Sequence, residues 1–119
     1  MNVSASDSKW TCKILMDAGK KDPEWQPAGQ AIKKLLDYCA AAAPYEHVFD
    51  IPDFKGYHGV QLHDNKQTIT AFKGKMEITT GNKTVLKTDL GRQLEQMVLL
   101  DAPEQFKPIA LNQLTTDFD

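Results

Sequence analysis

The hydrophobic pattern of residues 57–100 changes its period part-way along, from two to about 3.6. Up to residue 88, apolar and polar residues alternate in short segments that are separated by Asp-Asn-Lys, Lys-Gly-Lys and Gly-Asn. Alternation predicts β-strands with one buried face, and the short connections predict antiparallel pairing of neighbours. The four predicted strands of this meander cover residues 57–63, 67–72, 76–80 and 84–88.

A helix is predicted over residues 90–100, directly after the meander. Asp89 or Thr88 can serve as its N-terminal cap, and Asp101-Ala102-Pro103 ends it. The residues expected to face the core are Leu90, Leu94, Met97 and Val98. The residues expected in solvent are Arg92, Gln93, Glu95 and Gln96.

The main helix is predicted over residues 28–43, and Pro44 ends it. Its apolar positions repeat at helical spacing, whereas Lys33, Lys34 and Asp37 fall on the opposite side. The apolar face consists of Ala28, Ile32, Leu35, Leu36, Cys39 and Ala43.

Two shorter segments fit more than one structure. Residues 9–16 alternate like a strand, but Trp10, Ile14 and Ala18 also have helical spacing, and Gly19 is a good helix stop. We therefore predict a helical segment there. A loop is predicted over residues 19–26. Residues 47–51 could form a short strand, and residues 109–111 could add an edge strand.

These elements predict one α+β domain at residues 9–114. It consists of an N-terminal helical segment, the main helix, a four-stranded antiparallel meander and a closing C-terminal helix. Residues 1–8 are expected to be flexible, and residues 115–119 form a loose acidic tail. The expected core is Ile14, Leu15, Ile32, Leu35, Leu36, Cys39, Val60, Leu62, Ile69, Ile78, Leu94, Met97 and Val98.

Composition and charge exclude some partners. The chain has 119 residues and a net charge of −2, and its lysines are spread out. Nucleic-acid binding needs clustered cations, and Arg92 alone offers a guanidinium fork, so nucleic acid is not an expected partner. No apolar run is long enough for a membrane span, so none is expected.

The two cysteines, Cys12 and Cys39, allow two interpretations. They could form a disulfide in an oxidising compartment, which would favour a secreted or periplasmic protein. Alternatively, they are small buried hydrophobic residues with free thiols. The sequence leaves both open.

All three histidines lie in residues 47–64, together with three aspartates. Imidazole and carboxylate groups are the side chains that hydrolytic or metal sites use. However, His58 and His63 are an odd number of residues apart, so a regular strand would place them on opposite faces. We therefore assign no catalytic residue, metal ligand or cofactor.

Aromatic residues are concentrated in the first half of the chain. Exposed Trp and Tyr side chains dominate many protein interfaces, whereas buried ones form a core. Trp25 is flanked by polar residues and prolines, which favours exposure. The residues predicted to bind a partner are Trp25, Tyr45, Phe54, Tyr57 and His58.

The sequence thus predicts a small module that binds another protein, as bacterial inhibitor or immunity proteins do, although no motif identifies a family. The first alternative is a domain that binds a small apolar ligand under a curved sheet. The second is a small hydrolase or metal enzyme that uses the His/Asp region. An unpaired edge of the meander would also permit a homodimer.

Overall fold

The computed structural model describes residues 9–16, 21–45 and 57–116. These residues form an α+β structure with a six-stranded antiparallel sheet and three α-helices, which confirms the predicted class. The strands are β1 Thr11–Ile14, β2 Glu24–Trp25, β3 Val60–His63, β4 Gln67–Phe72, β5 Lys75–Thr80 and β6 Lys83–Thr88. The helices are α1 Gly29–Ala41, α2 Gln93–Leu100 and α3 Lys107–Thr116, and short 3-10 turns cover Leu90–Arg92 and Glu104–Phe106.

The strand order is β2-β1-β3-β4-β5-β6. The last four strands pair in sequence as the meander predicts, although β3 begins only at Val60. Tight turns join β4 to β5 and β5 to β6. In the first, Lys73 and Gly74 both have positive φ, as a two-residue hairpin of this hand requires.

The prediction of an N-terminal helical segment is wrong, because residues 11–14 form strand β1. β1 pairs with β3 on one side and with the two-residue strand β2 on the other, inside the segment predicted as a loop. Strand pairing satisfies the backbone groups of β3, and the alternation then buries Cys12 and Ile14 completely. The sequence of residues 9–16 fits both a helix and a strand, and pairing with β3 selects the strand.

The idea of an edge strand at residues 109–111 is also wrong, because these residues lie in helix α3, which runs to Thr116. Pro108 is the second residue of this helix, where its missing N–H costs nothing. α3 packs on α2 through Ala110, which is fully buried.

One face of the sheet carries the core. Residues opposite one another in the ladders share a face, so Cys12, Leu62, Ile69, Ile78 and Val85 lie in one row across five strands. Of the expected core, Leu36, Ile78 and Met97 are only partly buried and pack against the core. Leu15 is also only partly buried and does not belong to the core cluster. The core also contains residues that were not expected: Trp10, Cys12, Tyr57, Ala71, Phe72, Met76, Leu99, Ala102 and Ala110.

Gly59, the residue before β3, lies at a close approach to β4. Its φ is +101°, and a Cβ atom there would lie 2.1 Å from the Ala71 carbonyl oxygen. Both the backbone angle and the contact exclude a side chain.

We expect Gly59→Ala to lower the free energy of unfolding by about 3 kcal/mol or more, from strain and overlap with backbone. Gly29→Ala is the matched control, since nothing lies within 4 Å of a Cβ there. It should change stability by less than about 1 kcal/mol, in the stabilising direction. Urea unfolding followed by circular dichroism measures both. Equal effects of the two variants would contradict the close approach.

Cys12 and Cys39 are not bonded; both are free, buried thiols, so the disulfide interpretation is wrong. Cys12 lies on β1, whereas Cys39 faces Ile69, Ile78 and Val85 of β4–β6. The nearest of those strands is two steps from β1, roughly 9 Å at the usual strand spacing. A disulfide needs Cα atoms within about 7 Å.

Burial raises the pKa of each thiol from 9.0 to about 12; Asp101 adds to the effect at Cys12 and Asp89 at Cys39. The unfolded chain therefore loses its thiol protons at lower pH than the folded chain does. Stability from this source is complete below pH 9 and is lost as the pH rises from 9 to about 12.

We expect both thiols to react with a colorimetric disulfide reagent only after unfolding, because a buried, protonated thiol is a poor nucleophile. Urea titrations at rising alkaline pH should show the loss of stability. A variant with alanine at both cysteines is the control. It has no thiols, so the alkaline loss of stability that it still shows comes from other groups such as lysine and tyrosine. An intact mass that indicates a disulfide in protein purified without reductant would contradict the structure.

Candidate functional site

The residues predicted to bind a partner do not form one surface. Trp25 is half-buried on β2, where its indole N–H donates to Asp101 Oδ2 at 3.0 Å and its ring lies 6.1 Å from that of Phe106. These contacts join the sheet edge to the ends of α2 and α3. Tyr45 lies at the opposite edge, beside β6, and Phe54 lies outside the described residues.

Tyr57 and His58 are core residues, with 7% and 5% of their surface exposed. The Tyr57 ring meets Phe72 edge-on at 6.0 Å, and the His58 ring lies 6.3 Å from Phe72. A partner would therefore not meet these side chains on the surface of the folded domain.

The strongest polar cluster is centred on Glu95, whose carboxylate is fully buried. Oε1 accepts from the Tyr57 hydroxyl at 2.6 Å and from Arg92 Nη2 at 2.8 Å. Oε2 accepts from the Lys73 amide at 2.7 Å and from Arg92 Nε at 2.9 Å. The expectation that Arg92 and Glu95 face solvent is wrong, because this bidentate pair with its two further donors offsets the cost of burying the charge.

Asp89 is a second buried carboxylate, next to the first. It accepts from the Leu94 amide at 2.8 Å and the Glu95 amide at 3.4 Å, which are free N–H groups in the first turn of α2. The N-cap residue of α2 is Arg92, so the predicted cap position at Asp89 or Thr88 is wrong, although the Asp89 side chain bonds to amides of the first turn. Oδ1 of Asp89 also accepts from the Tyr38 hydroxyl at 2.6 Å, and burial together with this bond raises the pKa of Tyr38.

The start of α2 differs from the prediction because Gly91 and Arg92 both have positive φ. This break shifts the helical face, so Leu90 is 75% exposed although it was expected in the core, and Leu99 is buried instead. Arg92 and Lys73 hold a left-handed conformation that ordinary residues avoid, and both bond to Glu95. The Glu95 cluster thus joins the β4–β5 turn to the start of α2.

We expect Glu95→Gln to lower the free energy of unfolding by about 3–5 kcal/mol, since it leaves the Arg92 charge without its partner and turns an acceptor into a donor. Glu104→Gln is the control, because Glu104 is exposed. Denaturant unfolding of the two variants gives the comparison. A loss below about 1 kcal/mol for Glu95→Gln would show that the cluster does not stabilise the fold.

An apolar cleft of about 390 Å³ lies between α1 and strands β4–β6. Ile69, Ile78 and Val85 form its floor on the inner face of the sheet. Leu36, Cys39 and Ala40 of α1 form its wall. Val85 is 51% exposed, so the cleft is open to solvent.

Polar side chains lie at the rim of this cleft. At one end Gln67 Nε2 donates to Thr80 Oγ1 at 3.0 Å. At the other, Lys87 Nζ donates to the carbonyl oxygens of Cys39 and Ala40 at 2.9 and 3.1 Å. A cation at the C-terminal end of α1 satisfies carbonyl groups that the helix leaves free. This bond holds α1 against β6 and so helps to set the width of the cleft.

The His/Asp region is described only in part. His47, Asp50 and Asp53 lie outside the described residues. The Asp64 carboxylate accepts from the amides of Lys66 and Gln67, both at 2.8 Å, and so stabilises a turn. Within residues 9–16, 21–45 and 57–116, no three His, Cys, Asp or Glu side chains are grouped as metal ligands would be.

From the sequence, Leu36, Cys39, Ile69 and Ile78 of the cleft were expected in the core, and an apolar pocket under the sheet was only an alternative. Leu36, Ile69 and Ile78 do belong to buried faces, but only the position of α1 over the sheet decides whether they are covered. One signal was present in the chain: on one face of the last strand of the meander, Val85 is the apolar residue between Lys83 and Lys87.

Comparison of the chain with protein-family models, with curated proteins and with solved structures gave no match. None of the helices in the described part of the chain has the length and apolar character needed to cross a membrane.

Proposed function

We propose that this chain is a small protein-binding module that receives an apolar side chain of its partner in the cleft between α1 and β4–β6. The observation that carries the proposal is the combination of an apolar lining with an open mouth. Leu36, Ile78 and Val85 remain partly or largely accessible there, although each has a large apolar side chain. Exposed apolar surface of this kind is costly in water and marks interaction sites.

The rim supports the same interpretation. Protein interfaces combine an apolar centre with a polar rim, and here Gln67, Thr80 and Lys87 surround the apolar residues. Docking of this kind is what inhibitor and immunity-type proteins do. Another protein is thus the proposed partner, through a surface different from the aromatic set that the sequence suggested.

We expect Ala40→Phe to block the cleft, because Ala40 is exposed, lines the cleft and can carry a larger side chain without displacing a core residue. Ala41→Phe is the matched control, since Ala41 is exposed on the same helix but does not line the cleft. The measurement is selection of a random peptide library displayed on phage against the unmodified protein, followed by binding to both variants.

Peptides that bind the unmodified protein and Ala41→Phe, but bind Ala40→Phe at least about tenfold more weakly, would support the proposal; that factor corresponds to about 1.4 kcal/mol. Failure to enrich any peptide, or equal binding to all three proteins, would overturn it. Matching urea unfolding curves would show that both variants keep the fold.

A second candidate is a module for a small apolar ligand, and the cavity volume of about 390 Å³ favours it. Pockets for small molecules have about 300–1,000 Å³ but bury most of their ligand. Titration with an anilinonaphthalene sulfonate dye separates the two functions. Tight dye binding that Ala40→Phe abolishes, without any cleft-dependent peptide, would favour the small ligand.

A further inference from the structure

The outer edge of β6 is only partly paired. The Tyr45 amide donates to the Leu86 carbonyl oxygen at 3.0 Å, and the Thr88 amide donates to that of Ala43 at 2.6 Å. These bonds and an isolated bridge between Pro44 and Lys87 cover the second half of the strand. Since N–H and C=O groups on a strand alternate in direction, the Thr84 N–H and C=O point to the same outer side as those of Leu86.

Among the described residues, the first half of β6 is therefore unpaired on its outer side. Within the described residues, no strand pairs with Lys83–Val85 other than β5. Thr84 lies directly beside Val85, which forms part of the cleft floor. Unpaired backbone groups next to an apolar cleft are the features by which sheet edges recruit an extended peptide.

The side chains on this edge indicate which peptide would fit. Lys83, Val85 and Lys87 share the cleft face of β6. Lys87 bonds to α1, whereas among the described residues no carboxylate forms an ion pair with Lys83. A strand added here would place one side chain beside Val85 and the next but one beside Lys83.

We propose that the partner segment is an extended strand that pairs with β6 at Thr84, with an apolar residue opposite Val85 and a carboxylate opposite Lys83. This inference rests on the protein-binding function and names the chemistry of its partner. A second copy of the chain fits less well, because β6 contains no acidic residue. Pairing of two β6 strands would bring their lysines together without any carboxylate to balance the charge.

Nuclear magnetic resonance of the labelled, full-length protein tests the proposal with two capped peptides, Leu-Thr-Glu-Thr-Leu and Leu-Thr-Lys-Thr-Leu. Their symmetry offers the same side chains to β6 in either strand direction. The glutamate peptide should bind at least about threefold more tightly than the lysine peptide, the scale of an exposed ion pair. It should also slow hydrogen exchange of the Thr84 amide.

Thr84→Pro should weaken binding of the glutamate peptide by about fivefold relative to Thr84→Val, since it removes one donor to the peptide. Proline is tolerated where the N–H of an edge strand faces outward, so the β5 ladder is kept. Both variants lose the hydroxyl that bonds to Thr79, which makes them a matched pair.

Protection of the Thr84 amide in the protein without peptide would overturn the inference, because the edge would then already be paired, by another part of the chain or by a second copy. Equal binding of the two peptides, or of one peptide to the two Thr84 variants, would overturn it as well. If peptides from the phage selection bind in an Ala40-dependent way while Thr84→Pro has no effect, the function stands and this inference fails. If no peptide depends on Ala40, the proposed function itself fails.

Discussion

The buried carboxylate of Glu95 is the interaction on which the arrangement of sheet and helices depends. It receives four hydrogen bonds, from Tyr57, Lys73 and twice from Arg92. These donors come from the segment before β3, the turn after β4 and the residue before α2. An isolated buried charge would be costly, so the four donors must all be in place for the fold to be stable. Asp89 adds the link from the start of α2 to Tyr38 on α1.

This network explains why the strained parts of the backbone lie where they do. Arg92 and Lys73 both have positive φ, a conformation that costs free energy for residues other than glycine. Each gains a charge-assisted hydrogen bond to Glu95 in return. The strained residues Lys73 and Arg92 hold the start of α2 against the β4–β5 turn through Glu95. The cleft lies elsewhere, between α1 and the opposite ends of β4 and β5.

The cleft follows from the same packing. Asp89 holds one side of α1 through Tyr38, and Lys87 holds its C-terminal end against β6 through Cys39 and Ala40. With the helix fixed at these points, the residues beneath it at Ile78 and Val85 are not fully covered. The outer edge of β6 beside Val85, which is unpaired among the described residues, borders this cleft.

The sequence by itself determined the α+β class, the meander, its turns and the main helix, because these depend on local periodicity and turn chemistry. The β4–β5 turn belongs to this group. Tertiary structure decided the rest. Residues 11–14 had two acceptable periods, and pairing with β3 selected the strand; residues 109–111 became helical by packing on α2. The local sequence around Glu95 predicts a solvent-exposed side chain, because one of its hydrogen-bond donors, Tyr57, lies 38 residues away. From the sequence, an apolar pocket under the sheet was only one alternative, because burial of Leu36, Ile78 and Val85 depends on where α1 crosses the sheet, which is a relation between distant segments.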